Sequence, residues 1–387
     1  MSVLQNYVFL GLEHPSGVVS GKTMHGVVVL VVQEEVQVKS INIKWDGTEF
    51  VNWYHGVSQT PSNRVTATRN LFEEVQQLWP NSNTGDDVAE QDKPFPPGTY
   101  TYNFSWNLPD GLPGSYEERD LQDSRHMTAG SWIPRILDGN PSYIRYSAIA
   151  NIELIPGEKS ELKQLASKQS FFRVIESFDP KIVIQPPHTV KGSKRFLMAG
   201  AAMEARLSIA NGGVLFPGQR VAMKLHIDNK SKRQVDTINI KVDEHVIFAA
   251  QGQTFPRKAT VISAEVHEEM ALVKGGTTFD KDLMIDTPSE LPTTILGGKH
   301  IVRRFELVVQ LVTRFGTSLT LQAPLHILGW TTQLKDDVPK TIPIHTDPDA
   351  PHPALEQEKV DAVENDAVDE LKQEGDVAEV AVEAGST

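Results

Sequence analysis

The chain has 387 residues, a formal net charge of −13, 39% hydrophobic residues and no cysteine. This length favours two or three domains, and a chain without cysteine has no disulfide framework, thiolate metal site or catalytic thiol. No apolar run approaches the roughly 20 residues with which a helix spans a bilayer, and Met1–Gly11 shows no secretion signal. These features predict a cytoplasmic protein.

The negative charge is concentrated near the carboxyl end. Residues 341–387 contain 13 acidic residues and two lysines, a net charge of −11, so only −2 remains for residues 1–340. After Asp336 the composition shifts to Pro, Asp, Glu, Ala and Val, which is typical of disorder. We therefore expect a nearly neutral body and a disordered acidic tail. The body lacks the basic footprint of nucleic-acid binding, so no nucleic-acid partner is expected.

Alternating apolar residues and frequent turns predict strands along most of the body. The alternation is clear from Ile41 to Trp45 and again from Val221 to Ile227. Pro-Gly, Asp-Gly and Gly-Gly dipeptides separate the strands, which favours a β-sandwich over a sheet of alternating strands and helices. Two segments are helical candidates: Asn70–Trp79, which has apolar residues at helical spacing, and the short Lys159–Lys168.

An internal repeat organises the body. The tetrapeptide Ile-Asn-Ile-Lys occurs at residues 41–44 and again 197 residues later, at 238–241. Farther along, Leu-Pro at 112–113 matches 291–292 at an offset of 179, and Arg-Tyr at 145–146 matches Arg-Phe at 304–305 at an offset of 159. Three matches in the same order indicate two copies of one unit, the first with insertions that the second lacks.

The repeat and the change in composition predict an all-β fold of two tandem immunoglobulin-like sandwiches. We assign residues 1–178 to the first sandwich and 179–194 to a connection. The second sandwich is assigned to residues 195–335 and the disordered acidic tail to residues 336–387.

Several landmarks resemble a known family. Phe95-Pro96-Pro97-Gly98 is followed by alternating aromatic residues, then by Leu108-Pro109, Ser115-Tyr116-Glu117 and Ile144-Arg145-Tyr146. Phe216-Pro217-Gly218 begins a similar series in the second half. In this order the motifs resemble the alpha-arrestin, or arrestin-domain-containing, type of the arrestin family. The segment between Glu117 and Asn140 is longer than in that pattern.

The resemblance implies a non-enzymatic cytoplasmic adaptor that reaches the plasma membrane or endosomes. Such an adaptor binds cytosolic tails of membrane proteins and links them to endocytic sorting or ubiquitination. Alpha-arrestins dock ubiquitin ligases through Pro-Pro-x-Tyr motifs, but Pro96-Pro97 and Pro186-Pro187 lack the tyrosine. We therefore expect a ligase to be engaged only through an intermediary. The alternatives are a retromer-type coat subunit of arrestin fold and a carbohydrate-binding β-sandwich.

Basic residues form the candidate binding sites. Two clusters could hold phosphorylated cargo or anionic lipid head groups: Lys191, Lys194 and Arg195 in the first, and Lys230, Lys232 and Arg233 in the second. No catalytic or nucleotide-binding motif is recognised, and no cofactor is expected. His345, Asp347, Asp349 and His352 could ligate a metal, but interspersed prolines favour a solvated linker and we expect no metal site.

Overall fold

The computed structural model describes residues 7–54, 63–80, 94–118, 141–155, 164–178, 187–196, 200–267, 273–313 and 318–329. Within these ranges the chain consists of β-strands, turns and one 3₁₀ turn at Ala210–Gly213. The strands of the first half are β1 (Tyr7–Leu12), β2 (Val18–Val19), β3 (Thr23–Val32), β4 (Val38–Tyr54), β5 (Arg64–Trp79), β6 (Gly98–Asn107), β7 (Tyr116–Glu117), β8 (Tyr143–Leu154), β9 (Gln164–Phe172) and β10 (Val174–Ile175). Those of the second half are β11 (His188–Lys194), β12 (Gly200–Ile209), β13 (Val214–Leu215), β14 (Arg220–Ser231), β15 (Val235–Ala250), β16 (Gln253–His267), β17 (Thr277–Asp286), β18 (Ile301–Thr313) and β19 (Ser318–Ile327).

Each half is a sandwich of two sheets. In the first half β1-β3-β6 faces the sheet built from β5, β4, β8, β7 and β9. In the second half β11-β12-β14-β17 faces β16-β15-β18-β19-β13. Period-two alternation explains the buried faces, because successive side chains of a strand point to opposite sides. The predicted all-β fold of two tandem sandwiches is confirmed.

The register of the sheets reproduces the repeat seen in the sequence. In the first copy Ile43 lies opposite Ala150. In the second copy Ile240 lies opposite Val309, and these are the residues 197 and 159 positions farther along. Since register is fixed by which residues face the core, the two copies share one core pattern.

Two glycines show that the duplication extends to the turns. Gly21 and Gly218 have φ values of 78° and 79°, a left-handed conformation that glycine adopts without a steric penalty. Their N–H groups donate to the carbonyls of Pro109 and Pro288, each at 3.1 Å. The donors are 197 residues apart and the acceptors 179, which are the offsets of the repeat.

Each sandwich has its own core, and the first core also takes residues from the second half. Trp45 is fully buried in the first core and stacks on Trp106 at 4.4 Å between ring centroids. Val246 and Phe248, near the end of β15, and Ile295 are buried with this first core rather than with the second. The two sandwiches are therefore joined by a continuous apolar contact.

The helix predicted for Asn70–Trp79 is wrong, because these residues belong to β5. They pair along β4, which satisfies their backbone groups. The helical spacing was misleading, since Val75 is 65% exposed. Phe72, which lies outside the helical spacing, also packs on the first core, with its ring 5.1 Å from that of Trp106. Tertiary packing thus overrode a local pattern.

Two further assignments differ from the structure. Residues 164–168 of the second helical candidate lie in β9, which hydrogen-bonds along β8; residues 159–163 lie outside the described residues. In the segment assigned to the connection, residues 188–194 form β11, which pairs with β12 over its whole length. The apolar residues are too few there for the alternation to be visible. The predicted acidic tail also lies outside the described residues.

Core truncations test the shared strand phase. Ile43 is 0% exposed and Ile240 is 2% exposed, so replacing either with alanine should lower the free energy of unfolding by about 2–5 kcal/mol through lost burial and a residual cavity. Lys241→Ala, on the opposite face of the same strand as Ile240, should cost less than about 0.5 kcal/mol. Chemical denaturation measures all three. A Lys241→Ala cost that exceeds the Ile240→Ala cost would contradict the assigned phase.

Candidate functional site

The structure brings most of the two predicted basic clusters to one end of the second sandwich. Lys194 of β11 lies opposite Met203 of β12, and Met203 lies opposite Asn229 of β14. Strands β11 and β14 are therefore separated by one strand, which places their backbones roughly 10 Å apart. Arg195 follows Lys194, and Lys230, Lys232 and Arg233 follow Asn229. We call this end of the sandwich the basic end.

Lys191 lies away from the other five. It is three residues from the end of β11, opposite Arg206. The structure thus separates it from the group that the sequence placed it in.

A buried asparagine builds the turn of the basic end. Asn229 is fully buried, and its side-chain amide donates to the carbonyl of Arg233 at 2.6 Å and to that of Lys274 at 3.2 Å. Its Oδ1 accepts from the Ser231 hydroxyl at 2.6 Å. Asparagine suits this position because its side chain mimics backbone hydrogen bonding in turns. The bond to Lys274 also adds a cation that the sequence analysis missed.

In the sequence, the position of Lys274 is marked only by the adjacent pair Gly275-Gly276. This pair is one of the Gly-Gly dipeptides that we interpreted as turns. A Cβ at Gly275 would lie 2.8 Å from the Ser231 carbonyl oxygen. Gly276, with a φ of 74°, donates its N–H to the carbonyl of Asn229 at 2.7 Å. The two glycines thus allow this loop to pack tightly on the basic turn.

Not every cation of the basic end is available to a ligand. Lys230 lies 2.8 Å from the Asp228 carboxylate, and this hydrogen bond, with the charges of Asp228 and Glu204, raises the pKa of the lysine. Lys194 donates to the carbonyl of Ser318 at 2.6 Å. Lys230 is exposed but held by Asp228, whereas Arg195, Lys232 and Lys274 are exposed and have no ion pair among the described residues. These three side chains place exposed positive charge at this end of the sandwich.

The outer edge of β1 is a second candidate surface. Strand β1 pairs with β3 on one side; on its other side β9 lies nearby, but among the described strands no ladder joins the two. Tyr7 and Phe9 are 51% and 56% exposed, and Phe171 of β9 is 59% exposed. Exposed apolar edges invite the addition of another strand, and proteins usually protect them with charges or proline.

Two other edges of the described sheets carry such protection, whereas β6, the opposite edge of the β1 sheet, has neither a charge nor a proline. The edge strand β16 contains Pro256, Arg257 and Lys258. The edge strand β17 exposes Asp280 and Asp282. Strand β1 reads Tyr-Val-Phe-Leu-Gly-Leu, with neither a charge nor a proline. Of the two uncharged edges, β1 is the one that exposes large aromatic side chains, so it is the better suited to accept an extended peptide.

A buried carboxylate of the first domain fastens a loop of the second. Glu49 of β4 is 0% exposed, and its Oε1 accepts the N–H groups of His300 and Ile301, both at 2.8 Å. Its Oε2 accepts the N–H of Lys299 at 3.2 Å. A Cβ at Gly298 would lie 2.1 Å from the Ile301 carbonyl oxygen, so only glycine fits this approach. These bonds replace the water that the buried charge has lost.

Glu176 holds the preceding part of the same loop. Its carboxylate accepts the N–H groups of Leu296 at 3.1 Å and Gly297 at 2.9 Å, both from the second domain. The N–H of Gly114, from the first domain, donates to it at 3.3 Å. Burial raises the pKa of Glu176 to about 7, although the three N–H donors act in the opposite direction. We call residues 296–301 the docking loop.

Charged side chains from both domains form a third contact. Glu244 lies between two arginines, 3.2 Å from Nε of Arg303 and 3.5 Å from Arg257. Arg257 also lies 3.9 Å from Glu118 of the first domain. The Nε of Arg303 is close enough for an ion pair but lacks hydrogen-bond geometry. Arg303 also sits 4.8 Å from the ring centroid of the buried Tyr116.

This interdomain cluster borders a cavity of about 440 Å³. Desolvation lowers the pKa of Arg303 to about 10, with the Glu244 carboxylate partly offsetting the shift, so the guanidinium stays charged at neutral pH. Burial raises the pKa of Tyr116, and its hydroxyl has no hydrogen-bond partner in the described part of the chain. The cluster thus reaches the first domain through the Arg257–Glu118 ion pair and through the contact of Arg303 with the Tyr116 ring.

The raised pKa of Glu176 predicts how stability depends on pH. A carboxyl that titrates near 7 when folded and near 4.5 when unfolded keeps its proton longer in the folded state. Its contribution to stability therefore falls as pH rises between these values. The glutamine of the Glu176→Gln variant cannot ionise, so the variant escapes this loss. The free energy of unfolding of the variant minus that of the unmodified chain should therefore rise by about 1–3 kcal/mol between pH 5 and pH 8.

Chemical denaturation at several pH values measures this difference. The comparison is made within each protein across pH, so any constant cost of the substitution cancels. Parallel pH profiles for the two proteins would contradict the assignment.

The remaining searches concern membranes, metals and similar proteins. Across the described ranges, no helix is long and apolar enough to cross a membrane, and no group of three or more His, Asp or Glu side chains is placed to hold a metal ion. The candidate ligands His345 to His352 lie outside those ranges. No curated protein matches the chain.

Two protein-family descriptions match the chain. The description "Arrestin (or S-antigen), N-terminal domain" matches residues 11–181, and "Arrestin (or S-antigen), C-terminal domain" matches residues 203–330. Neither distinguishes the alpha-arrestin type, which stays a prediction. Together the two matches cover most of the chain and correspond to its two sandwiches. The protein therefore belongs to the arrestin family.

Proposed function

We propose that this protein is a cytoplasmic adaptor that binds extended cytosolic segments of membrane proteins at the edge of β1. Its arrestin domains support an arrestin-like adaptor role in general. The uncharged edge of β1, with exposed Tyr7 and Phe9, is the observation that carries the proposal. A peptide added as a strand gains main-chain hydrogen bonds for affinity, while side-chain contacts supply specificity.

The adaptor passes its cargo to endocytic sorting or ubiquitination machinery. Because the sequence contains no Pro-Pro-x-Tyr motif, a ubiquitin ligase is engaged through an intermediary. The basic end then serves as a second contact, which meets the anionic lipids of the plasma membrane or endosome. Its exposed cations Arg195, Lys232 and Lys274 support this role.

A substitution in β1 tests the cargo surface. Phe9→Lys places a charge on the edge strand and removes an exposed aromatic contact. A panel of cytosolic-tail peptides is first screened for those that the unmodified chain binds. The variant should bind these peptides roughly tenfold more weakly or worse, since burying an aromatic ring contributes about 1.5–3 kcal/mol. Fluorescence anisotropy with labelled peptides measures the affinities.

Val75→Lys is the matched control, because Val75 is 65% exposed on β5, away from the proposed edge. It should leave peptide affinity unchanged. Equal losses for the two variants, or a panel in which no peptide binds, would refute the proposed cargo surface.

Vesicle binding tests the basic end. The triple variant Arg195→Gln, Lys232→Gln, Lys274→Gln should bind phosphatidylserine vesicles roughly 100-fold more weakly at low salt, since each cation near an anionic surface contributes about 1 kcal/mol. The difference should shrink as the Debye length shortens to about 8 Å at physiological ionic strength. Co-sedimentation with vesicles measures both effects.

The control for the vesicle experiment removes three exposed cations elsewhere: Lys22→Gln, Lys39→Gln and Arg220→Gln. Both triple variants change the net charge equally, so general electrostatic attraction affects them alike. If they lose binding to the same extent, the basic end is not the membrane contact.

A further inference from the structure

The two copies differ at one repeated arginine. In the first copy Arg145 forms a two-bond pair with Glu117, from Nε to Oε1 at 2.6 Å and from Nη2 to Oε2 at 2.8 Å. Two parallel bonds of this kind are among the stronger charge-assisted contacts in proteins. Arg304 is the residue 159 positions farther along, in the second copy.

The structure identifies the counterpart of Glu117. In the first copy Tyr116 pairs with Ile144. In the second copy Ile295 pairs with Arg303, and these are the residues 179 and 159 positions farther along. Leu296 therefore occupies the place of Glu117. The second copy keeps the arginine and has lost the carboxylate that pairs with it.

The hydroxyl groups that anchor this region confirm the alignment of the two copies. Ser115 donates its N–H to the Val174 carbonyl at 2.8 Å, and its hydroxyl accepts the Val174 N–H at 2.8 Å. Thr294 makes the same pair of bonds with Ile327, at 2.8 and 2.9 Å. The residues around Arg145 and Arg304 are therefore held by equivalent frames.

Arg304 lacks an equivalent carboxylate partner within the described residues. Its Nε is buried and has no hydrogen bond, and in the described ranges no carboxylate lies within ion-pairing distance of it. A buried donor without an acceptor costs about 1–3 kcal/mol, and more when it is charged. An acceptor from outside these residues would relieve that cost.

Arg304 lines a cavity of about 320 Å³ together with His245, Leu296 and His326. Strand register places Lys258, His245 and Arg304 side by side across three strands of one face. Lys258 is compensated by Asp243 at 3.0 Å, so Arg304 is the cation of this row for which the described residues supply no carboxylate.

One carboxylate, Glu306, also lines this cavity, but its contacts are to other residues. Its Oε2 accepts from Gln322 at 3.2 Å and lies 3.6 Å from His245 and 3.9 Å from Lys258. It therefore does not replace the partner that Arg304 lacks.

We propose that this cavity binds a compact oxyanion, a carboxylate or phosphate group of a ligand, which pairs with Arg304 as Glu117 pairs with Arg145. The side of the cavity formed by Leu296 is where the first copy supplies its own carboxylate. The ligand thus completes a contact that the fold provides internally in the other copy. This site is separate from the β1 edge and from the basic end, and it does not depend on the proposed cargo binding.

Titration of the full chain with inorganic phosphate, and separately with acetate, tests the site. Chloride at matched ionic strength is the reference. Either oxyanion should shift the NMR signal of the Arg304 side-chain Nε–H in a saturable manner. The oxyanion that binds more tightly identifies the class of ligand, phosphate or carboxylate. The absence of a saturable shift with both would overturn the proposal.

Two variants locate the binding. Arg304→Gln should weaken oxyanion binding by roughly 10- to 100-fold, the usual range for a hydrogen bond to a charged group. Leu296→Glu keeps Arg304 but installs the carboxylate of the first copy, so it should abolish binding by occupying the arginine. For these variants the shift of a neighbouring backbone amide is the readout.

Arg220→Gln is the matched control, since Arg220 is an exposed arginine of β14 that pairs with Asp286 at 2.8 Å. It should leave oxyanion affinity unchanged. Leu296→Glu decides the question if Arg304→Gln does not fold. Retained binding in Leu296→Glu would refute the proposed pairing with Arg304.

Discussion

The arrangement of the two sandwiches depends on six residues of backbone, the docking loop 296–301. Glu49 and Glu176 of the first domain accept five of its N–H bonds at 2.8–3.2 Å. A buried carboxyl group without donors would be costly, so each of these two side chains is satisfied only with the loop in this position. Apolar contact alone tolerates sliding, whereas hydrogen bonds to a buried charge have a definite direction and length. The domains are therefore oriented as well as attached.

The docking loop also shows why one glycine pair was interpreted incompletely. Gly297-Gly298 suggested a hairpin turn from the sequence alone. The loop that contains this pair is held by Glu49, whose bond to the Lys299 N–H spans 250 positions of sequence. A Cβ at Gly298 would lie 3.0 Å from the Glu49 carboxylate. Local patterns carry no information about such a distant neighbour.

The most predictable property of this chain was which residues of each strand face the core. The alternation at Ile41–Trp45 and Val221–Ile227 depends only on which residues face the core, and the repeat tested it twice. The helical spacing in Asn70–Trp79 failed because β5 is an edge strand with polar residues on its exposed face, so Leu71, Val75 and Leu78 do not share one buried face. Edge strands weaken the alternation from which strands are recognised.

The candidate sites were predictable only in part. Lys194, Arg195 and the residues Lys230 to Arg233 could be found because they are consecutive in the sequence, but their meeting at the basic end required the register of β11, β12 and β14. The β1 edge was not identified from the sequence, since six uncharged residues are unremarkable until their neighbours are known. The interdomain cluster was missed for the same reason.

Duplication followed by divergence accounts for the differences between the two copies. At the position of the buried Ile144, the second copy has Arg303, which pairs with Glu244 of its own domain and lies over the ring of Tyr116 across the domain boundary. The next residue, Arg304, points to the opposite face of β18, because side chains alternate along a strand. One face of this strand therefore fastens the two domains, and the other faces the cavity that has lost its carboxylate. An oxyanion bound at Arg304 would lie one residue from Arg303, which contacts the first domain. The cavity and the domain interface therefore lie on opposite faces of the same strand, β18.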